Sequence, residues 1–150
     1  MDQNPENHLI KIPSISKKRD EVVIASIDIS TENVYAKAEI LQSENGTKTV
    51  HIIGIENLTN KKGIGRRAQE EILRQAIQRG ATRIRSEVVS AAIAHLYGNW
   101  FGKDPVFETI TGERLSPEEV AEKINTGKIK IAYLDAEISE NLKRKILNDT

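Results

Sequence analysis

Ile53-Gly54-Ile55-Glu56-Asn57-Leu58-Thr59-Asn60-Lys61-Lys62-Gly63-Ile64-Gly65-Arg66 is the stretch that decides how this chain is read. Before it, apolar residues alternate with period two. After it they recur at helical spacing, at Ala68, Ile72, Leu73, Ala76 and Ile77. The stretch therefore leaves a strand and enters a helix. Its glycines let the backbone turn tightly and approach a ligand that any Cβ would block. The helix start adds unpaired N–H donors and about half a unit of positive charge. Together these make an anion site suited to phosphate, and Lys61, Lys62, Arg66 and Arg67 place mobile positive charge around it.

Upstream, Lys48–Ile55 and Val34–Gln42 both alternate. Ser43-Glu44-Asn45-Gly46 lies between them, and Asn-Gly is the strongest short hairpin signal. Val22–Ile29 is rich in β-branched residues and reads as a strand. His8–Ile15 alternates around Pro13, which suits an edge strand. Ser16–Glu21 is a charged turn, and residues 1–7 are polar and predicted to fray.

Downstream, Gly80 stops the helix. Thr82–Val89 is the next strand, and Ser90 caps a helix with an apolar stripe at Ile93, Leu96, Tyr97 and Trp100. Gly102–Pro105 breaks it, and Val106–Ile110 is a short strand. Ser116-Pro117-Glu118-Glu119 opens another helix with a cap, an N1 proline and first-turn acids. It ends at Gly127, followed by a strand at Lys128–Leu134 and a terminal helix at Ser139–Leu147. The order predicts one α+β domain over residues 1–150, with a mixed, mainly antiparallel sheet and a single central βαβ crossover.

Bulk properties narrow the function. A chain of 150 residues fits one domain. With 22 basic and 22 acidic side chains, no net charge steers it toward nucleic acid or an acidic membrane. Cysteine is absent, which excludes disulfides, thiolate zinc sites and a cysteine nucleophile. His8, His51 and His95 show no ligand spacing, so no metal is expected. The start has neither a basic n-region nor an apolar h-region, and no run is long enough to span a membrane, so the expected location is cytoplasmic.

The loop, with Gly80-Ala81-Thr82-Arg83-Ile84 and Tyr97, resembles the GNAT superfamily of acetyl-CoA-dependent N-acyltransferases over about residues 48–102. That family carries a Q/R-x-x-G-x-G/A loop after a strand, then a helix, a Gly-Ala turn, a strand, and a helix holding a tyrosine. Here the loop reads Asn60-x-x-Gly63-x-Gly65, with Asn60 in place of the usual Gln or Arg. The family also places two helices where this chain has only Ser16–Glu21, and the helix from Pro117 between the last two strands is another departure. The resemblance implies a GNAT-like acyl-CoA N-acyltransferase fold. It further implies that Ile53, Ile55, Asn60, Lys61, Lys62, Gly63, Ile64, Gly65 and Arg66 hold acetyl-CoA, which is attacked directly by a primary amine in a ternary complex. The acceptor, protein or small molecule, stays open, as does the oligomeric state.

The chemistry of such a transfer sets what the side chains must do. Freeing a lysine-like amine of its proton at pH 7 costs about 4.6 kcal/mol. The reaction therefore calls for a base for the amine and an acid for the departing thiolate. Tyr97 sits where the resembling family carries the tyrosine that protonates the sulfur, although it also lies on the core stripe of its helix. Glu56, at the end of the strand beside the groove, is the candidate base. His51 and His95 read as surface or rim residues, and the Trp100-Phe101 pair as packing under the sheet.

Three other readings use the same residues. Gly63-Ile64-Gly65-Arg66-Arg67-Ala68 satisfies the dinucleotide fingerprint, but Leu58–Lys62 separates it from the strand and no succession of parallel strands follows. Between Lys61 and Arg85, eight basic residues face only Glu70 and Glu71, a face that suits phosphates of RNA or DNA but lacks stacking aromatics. A catalytically inactive acyl-CoA-binding or interaction domain of the same fold is the third.

Overall fold

A computed structural model describes residues 20–148. The segment 1–7, the strand expected at His8–Ile15 and most of the turn after it lie outside the described residues.

The described chain opens with β1 (Val22–Ser30), β2 (Val34–Gln42) and β3 (Lys48–Asn57), paired antiparallel in that order. The β2–β3 turn forms where Asn-Gly predicts it. Gly46 takes φ 89°, and Asn45 Oδ1 accepts the Thr47 amide at 3.0 Å. α1 (Ile64–Gln78) then crosses over to β4 (Arg83–Val88), which lies parallel to β3. This is the predicted central crossover. α2 (Ala91–Phe101), β5 (Phe107–Glu108), β6 (Arg114–Leu115), α3 (Pro117–Asn125), β7 (Ala132–Glu137) and α4 (Glu140–Asn148) complete the chain. The sheet runs β1-β2-β3-β4-β7-β5-β6, antiparallel everywhere except at β3–β4. The architecture is α+β with a mixed, mainly antiparallel sheet.

Two elements differ from their sequence reading. The last strand is Ala132–Glu137, not Lys128–Leu134. Gly127, at φ 76°, reverses the chain, and the amides of Lys128 and Ile129 then bond back to the Lys123 carbonyl at 2.8 and 3.2 Å. The alternation in Lys128–Ile131 is thus spent on closing α3. The strand expected at Val106–Ile110 is a two-residue β5 that turns through Gly112 into β6.

One face of the sheet carries Ala36, Ala38, Ile40, Val50, Ile84 and Leu134, all buried. Against it α1 presents Ala68, Ile72, Leu73, Ala76 and Ile77, the stripe its spacing predicts. Gln69 falls on that same face and is buried. α2 adds Tyr97 and Trp100, whose ring centroids lie 5.3 Å apart, with Phe107 at 5.9 Å from Tyr97. The Trp100 indole is buried, as the packing reading of Trp100-Phe101 requires.

The opposite face holds a buried charge cluster. Arg85, 2% exposed, forks onto Glu21 with both bonds at 2.7 Å, and its Nε lies 3.5 Å from Asp135 Oδ2. Burial alone would lower the guanidinium pKa, but the Glu21 bonds and the Asp135 charge outweigh it and hold it above its ordinary value. Glu21, the last residue of the expected charged turn, ties the start of the described chain to the middle of the sheet.

Candidate functional site

The site begins with one extra residue. Ala38 pairs with Ile52 and Lys37 with Gly54, so Ile53 is a β-bulge on β3. A bulge bends its strand and sharpens the local twist. At the same level the parallel ladder ends: only Thr49–Ile52 pair with Arg83–Ser86. β3 continues to Asn57 and β4 to Val88, but the two strands part beyond the bulge.

The gap between them is a cavity of 360 Å³. Ile53, Gly54 and Ile55 line one wall, Ser86 and Glu87 the other, and Gly65, Gln69 and Ile93 reach in from α1 and α2. Ser86 and Glu87 are consecutive residues of a strand, so their side chains point to opposite faces of the sheet. The cavity therefore passes through the sheet.

Its helix-side end meets the start of α1. Gly63 caps this helix in the left-handed region, at φ 84°, without a side-chain bond, and the first turn has no acid. The first amide of the turn to find a helical partner is Arg67, at 3.0 Å from the Gly63 carbonyl. Serine side chains cap the other three described helices, at Ser90, Ser116 and Ser139. Among the described residues, no side chain thus caps the first amides of α1, and the partial positive charge of the helix start is left to them. A second cavity of 340 Å³, lined by Gly63, Gly65, Arg66, Ile93, His95 and Asn99 among others, shares Gly65 and Ile93 with the first.

Glycine at 63 is needed by its backbone. Glycine at 54 and 65 is not: neither has a positive φ. A Cβ at 54 would meet nothing within 4 Å, and at 65 only Ile55 Cγ2 at 3.9 Å. Both open onto the cavity. Their missing side chains widen a space that the rest of the fold does not fill.

The approach loop is held by its own side chains. Asn57 Oδ1 accepts from the Thr59 amide at 2.9 Å, Asn57 Nδ2 donates to the Lys61 carbonyl at 3.1 Å, and Thr59 Oγ1 accepts from the Lys61 amide at 3.1 Å. Of the residues expected to bind the cofactor, Ile53, Ile55 and Gly65 line the through-sheet cavity and Gly63, Gly65 and Arg66 the adjoining one. Ile64 packs on the core, and Asn60, Lys61 and Lys62 stand exposed on the loop.

The candidate catalytic residues fall differently. Tyr97 is wholly buried and donates to Gln69 Oε1 at 2.9 Å. Burial pushes its phenol well above the usual tyrosine range, against the opposing pull of Ser86 and Gln69. Both of those residues line the cavity, so the hydroxyl lies just behind its wall. Glu56 is exposed opposite Tyr35 and does not line the cavity, whereas Glu87 does. His51 is half-buried; burial, then the Arg85 charge, lower its pKa against Glu39 and Glu87. His95 is exposed on the rim of the second cavity.

Gln69 had a signal in the sequence. It shares a helical face with Ile72, Leu73 and Ala76, where a polar side chain must find a partner. Tyr97→Phe removes that partner and strands a buried acceptor. The variant should lose about 1–2 kcal/mol and melt roughly 3–6 °C lower by calorimetry. Adding Gln69→Leu should recover most of it, because both polar groups then leave together. An unchanged melting temperature in Tyr97→Phe would refute the bond.

The basic face is less uniform than its sequence. Arg66 pairs with Glu70, Arg74 with Glu71, Arg83 with Asp135, and Arg85 is buried on the far side of the sheet. Among the described residues, no helix is long and apolar enough to cross a membrane, and no cluster of three or more acidic or histidine side chains suits a metal ion.

No protein-family model matches the chain, and no curated protein matches it. Among solved structures, the crystal structure of the anti-CRISPR protein AcrVA5 aligns over 73% of this chain and 98% of that one, at 16% identity and a TM-score of 0.37, a likeness too slight to assign fold or function.

Proposed function

We propose that the protein is an acetyl-CoA-dependent N-acetyltransferase of GNAT-like fold, acting on a primary amine by direct attack. The observation that carries this reading is the gap behind the Ile53 bulge, where a parallel strand pair parts next to an uncapped helix start. A strand edge without its neighbour offers backbone donors and acceptors to an extended amide chain such as pantetheine. The α1 amides with Gly63 and Gly65 suit a pyrophosphate. The adjoining cavity between α1 and α2 has room for the rest of the nucleotide.

In this reading Ile53 and Ile55 flank the pantetheine arm, and Lys61, Lys62 and Arg66 supply charge to the phosphates. Tyr97 is the donor nearest the thioester end. Its raised pKa suits holding a hydrogen bond better than releasing a proton to a thiolate. To serve the sulfur it must turn from Gln69 toward the cavity. That burial favours a second reading, an acyl-CoA-binding domain without turnover. Tyr97→Phe separates them. A kcat about a hundredfold lower at unchanged CoA affinity marks donation to the sulfur, whereas CoA binding with no turnover in the wild type marks the inactive domain.

The direct test is ligand binding. CoA at a hundred times its Kd should stabilise the native state by about 2.7 kcal/mol and raise the melting temperature by roughly 5–10 °C. A shift with NAD but not with CoA would overturn the proposal in favour of a dinucleotide site.

A further inference from the structure

The through-sheet cavity has two unlike ends. On the helix side stands the start of α1 at Gly65, with Arg66 lining the adjoining cavity. On the open side stands Glu87, the one charged side chain among the described residues that line the cavity. Around it are apolar groups: Ile53 is 50% exposed and Val89 is 65% exposed, both on the cavity wall. Glu87 pairs across to Tyr133 on β7; burial and then the Glu87 charge raise the pKa of Tyr133, and the same charge opposes the lowering at His51 on β3. Arg85, two residues back on β4, is committed to Glu21 and Asp135. The carboxylate is thus exposed at a mouth whose rim is mostly apolar, Asn57 being the other exposed polar side chain among the described lining residues. A mouth of that make-up selects a cation on an apolar stem.

We infer that Glu87 receives the acceptor, holding an alkylammonium group at the open face of the sheet and taking its proton. This rests on the acetyl-transfer reading and replaces Glu56, which does not line the cavity, as the base. The ammonium gives one proton to the Glu87 carboxylate. The freed nitrogen forms a bond to the thioester carbonyl carbon and the C–S bond breaks. The second proton lost by the nitrogen goes to the departing thiolate, and Glu87 returns its own proton to water. Donor and acceptor come from opposite sides of the sheet, the anion at the positive end and the cation at the negative one.

The test uses the full chain, acetyl-CoA, and two probes: cadaverine, a free diamine, and N-α-acetyllysine methylamide, a stand-in for a protein lysine. Glu87→Gln keeps the shape and removes the charge. Its CoA affinity by calorimetry should equal that of the wild type, while kcat/KM for the amine at pH 7 falls about a hundredfold. Between pH 7 and 9 the variant should gain about tenfold per pH unit, because solution must now supply free amine, while the wild type stays flat. Turnover of cadaverine alone, or of the lysine probe alone, supports the inference and names the source of the amine. A Glu87→Gln variant with wild-type rate and pH profile overturns it and leaves CoA binding standing. A wild type that binds CoA yet acetylates neither amine also overturns it. A wild type that does not bind CoA removes the acetyl-transfer reading itself.

Discussion

Arg85→Ala should be the most damaging single substitution in this chain, lowering stability by about 3–5 kcal/mol. Its effect does not come from the energy of the pair itself, since two charges taken out of water recover little more than their desolvation. It comes from what is left behind. Glu21 is 5% exposed and loses a two-pronged partner at 2.7 Å, while Asp135 keeps Arg83 at 2.9 Å. For a domain of this size the melting temperature should fall by roughly 10 °C or more. The double variant Arg85→Met with Glu21→Leu removes both charges and should lie within about 1 kcal/mol of the wild type, or above it. Urea unfolding of the two proteins decides the matter. A loss below about 1 kcal/mol in Arg85→Ala would mean that the rest of its surroundings compensates the Glu21 charge.

Gly65→Asp should abolish CoA binding while leaving the fold at least as stable as before. A Cβ at this position meets only Ile55 Cγ2 at 3.9 Å, an ordinary contact. Aspartate replaces a poor helix former and places an acid in the first turn of α1, which lacks one. The fold therefore gains a few tenths of a kcal/mol or more. The same charge stands where the pyrophosphate is proposed to sit, so affinity should fall at least a hundredfold, about 2.7 kcal/mol. Gly65→Ala adds bulk without charge and should lie between the two. Opposite signs for stability and binding separate a ligand site from a turn that merely needs glycine. A Gly65→Asp protein that binds CoA as tightly as the wild type would remove the loop from the site.

Local chemistry made most of the fold legible. Asn45-Gly46 placed the hairpin, Ser90 and Ser116 placed two helix starts, and Gly80 placed a helix end, because each acts on neighbours a few residues away. The missed features depend on partners distant in the chain. The Ile53 bulge is silent in sequence, since Ile52-Ile53-Gly54-Ile55 reads as strand with or without an extra residue. Arg85 sits on a strand, Arg-Ile-Arg-Ser-Glu-Val, whose alternation correctly gives a polar face, but nothing local says that Glu21 covers it. Lys128–Ile131 alternates convincingly and is nonetheless drawn into the end of α3. For the site, the glycines and the helix start were legible, and Gly63 and Gly65 do line cavities there. Glu87 was not, because the rim of a through-sheet cavity exists only once two strands part.

The short β3–β4 ladder has a consequence for how the molecule comes apart. Pairing runs the length of β1–β2–β3 on one side and of β4–β7 on the other, but among the described residues the two halves meet edge to edge only at Thr49–Ile52 and at the Thr82 amide, which donates to the Lys48 carbonyl at 2.9 Å. The join is strengthened by α1, which packs on β1, β2 and β3 and also on α4, by the Tyr97–Gln69 bond and by the buried Glu21–Arg85 pair. Openings short of global unfolding begin where the fewest rungs must break. The weakest seam of the sheet therefore runs along the wall of the cavity, and any ligand lying in that gap acts as a stitch across it.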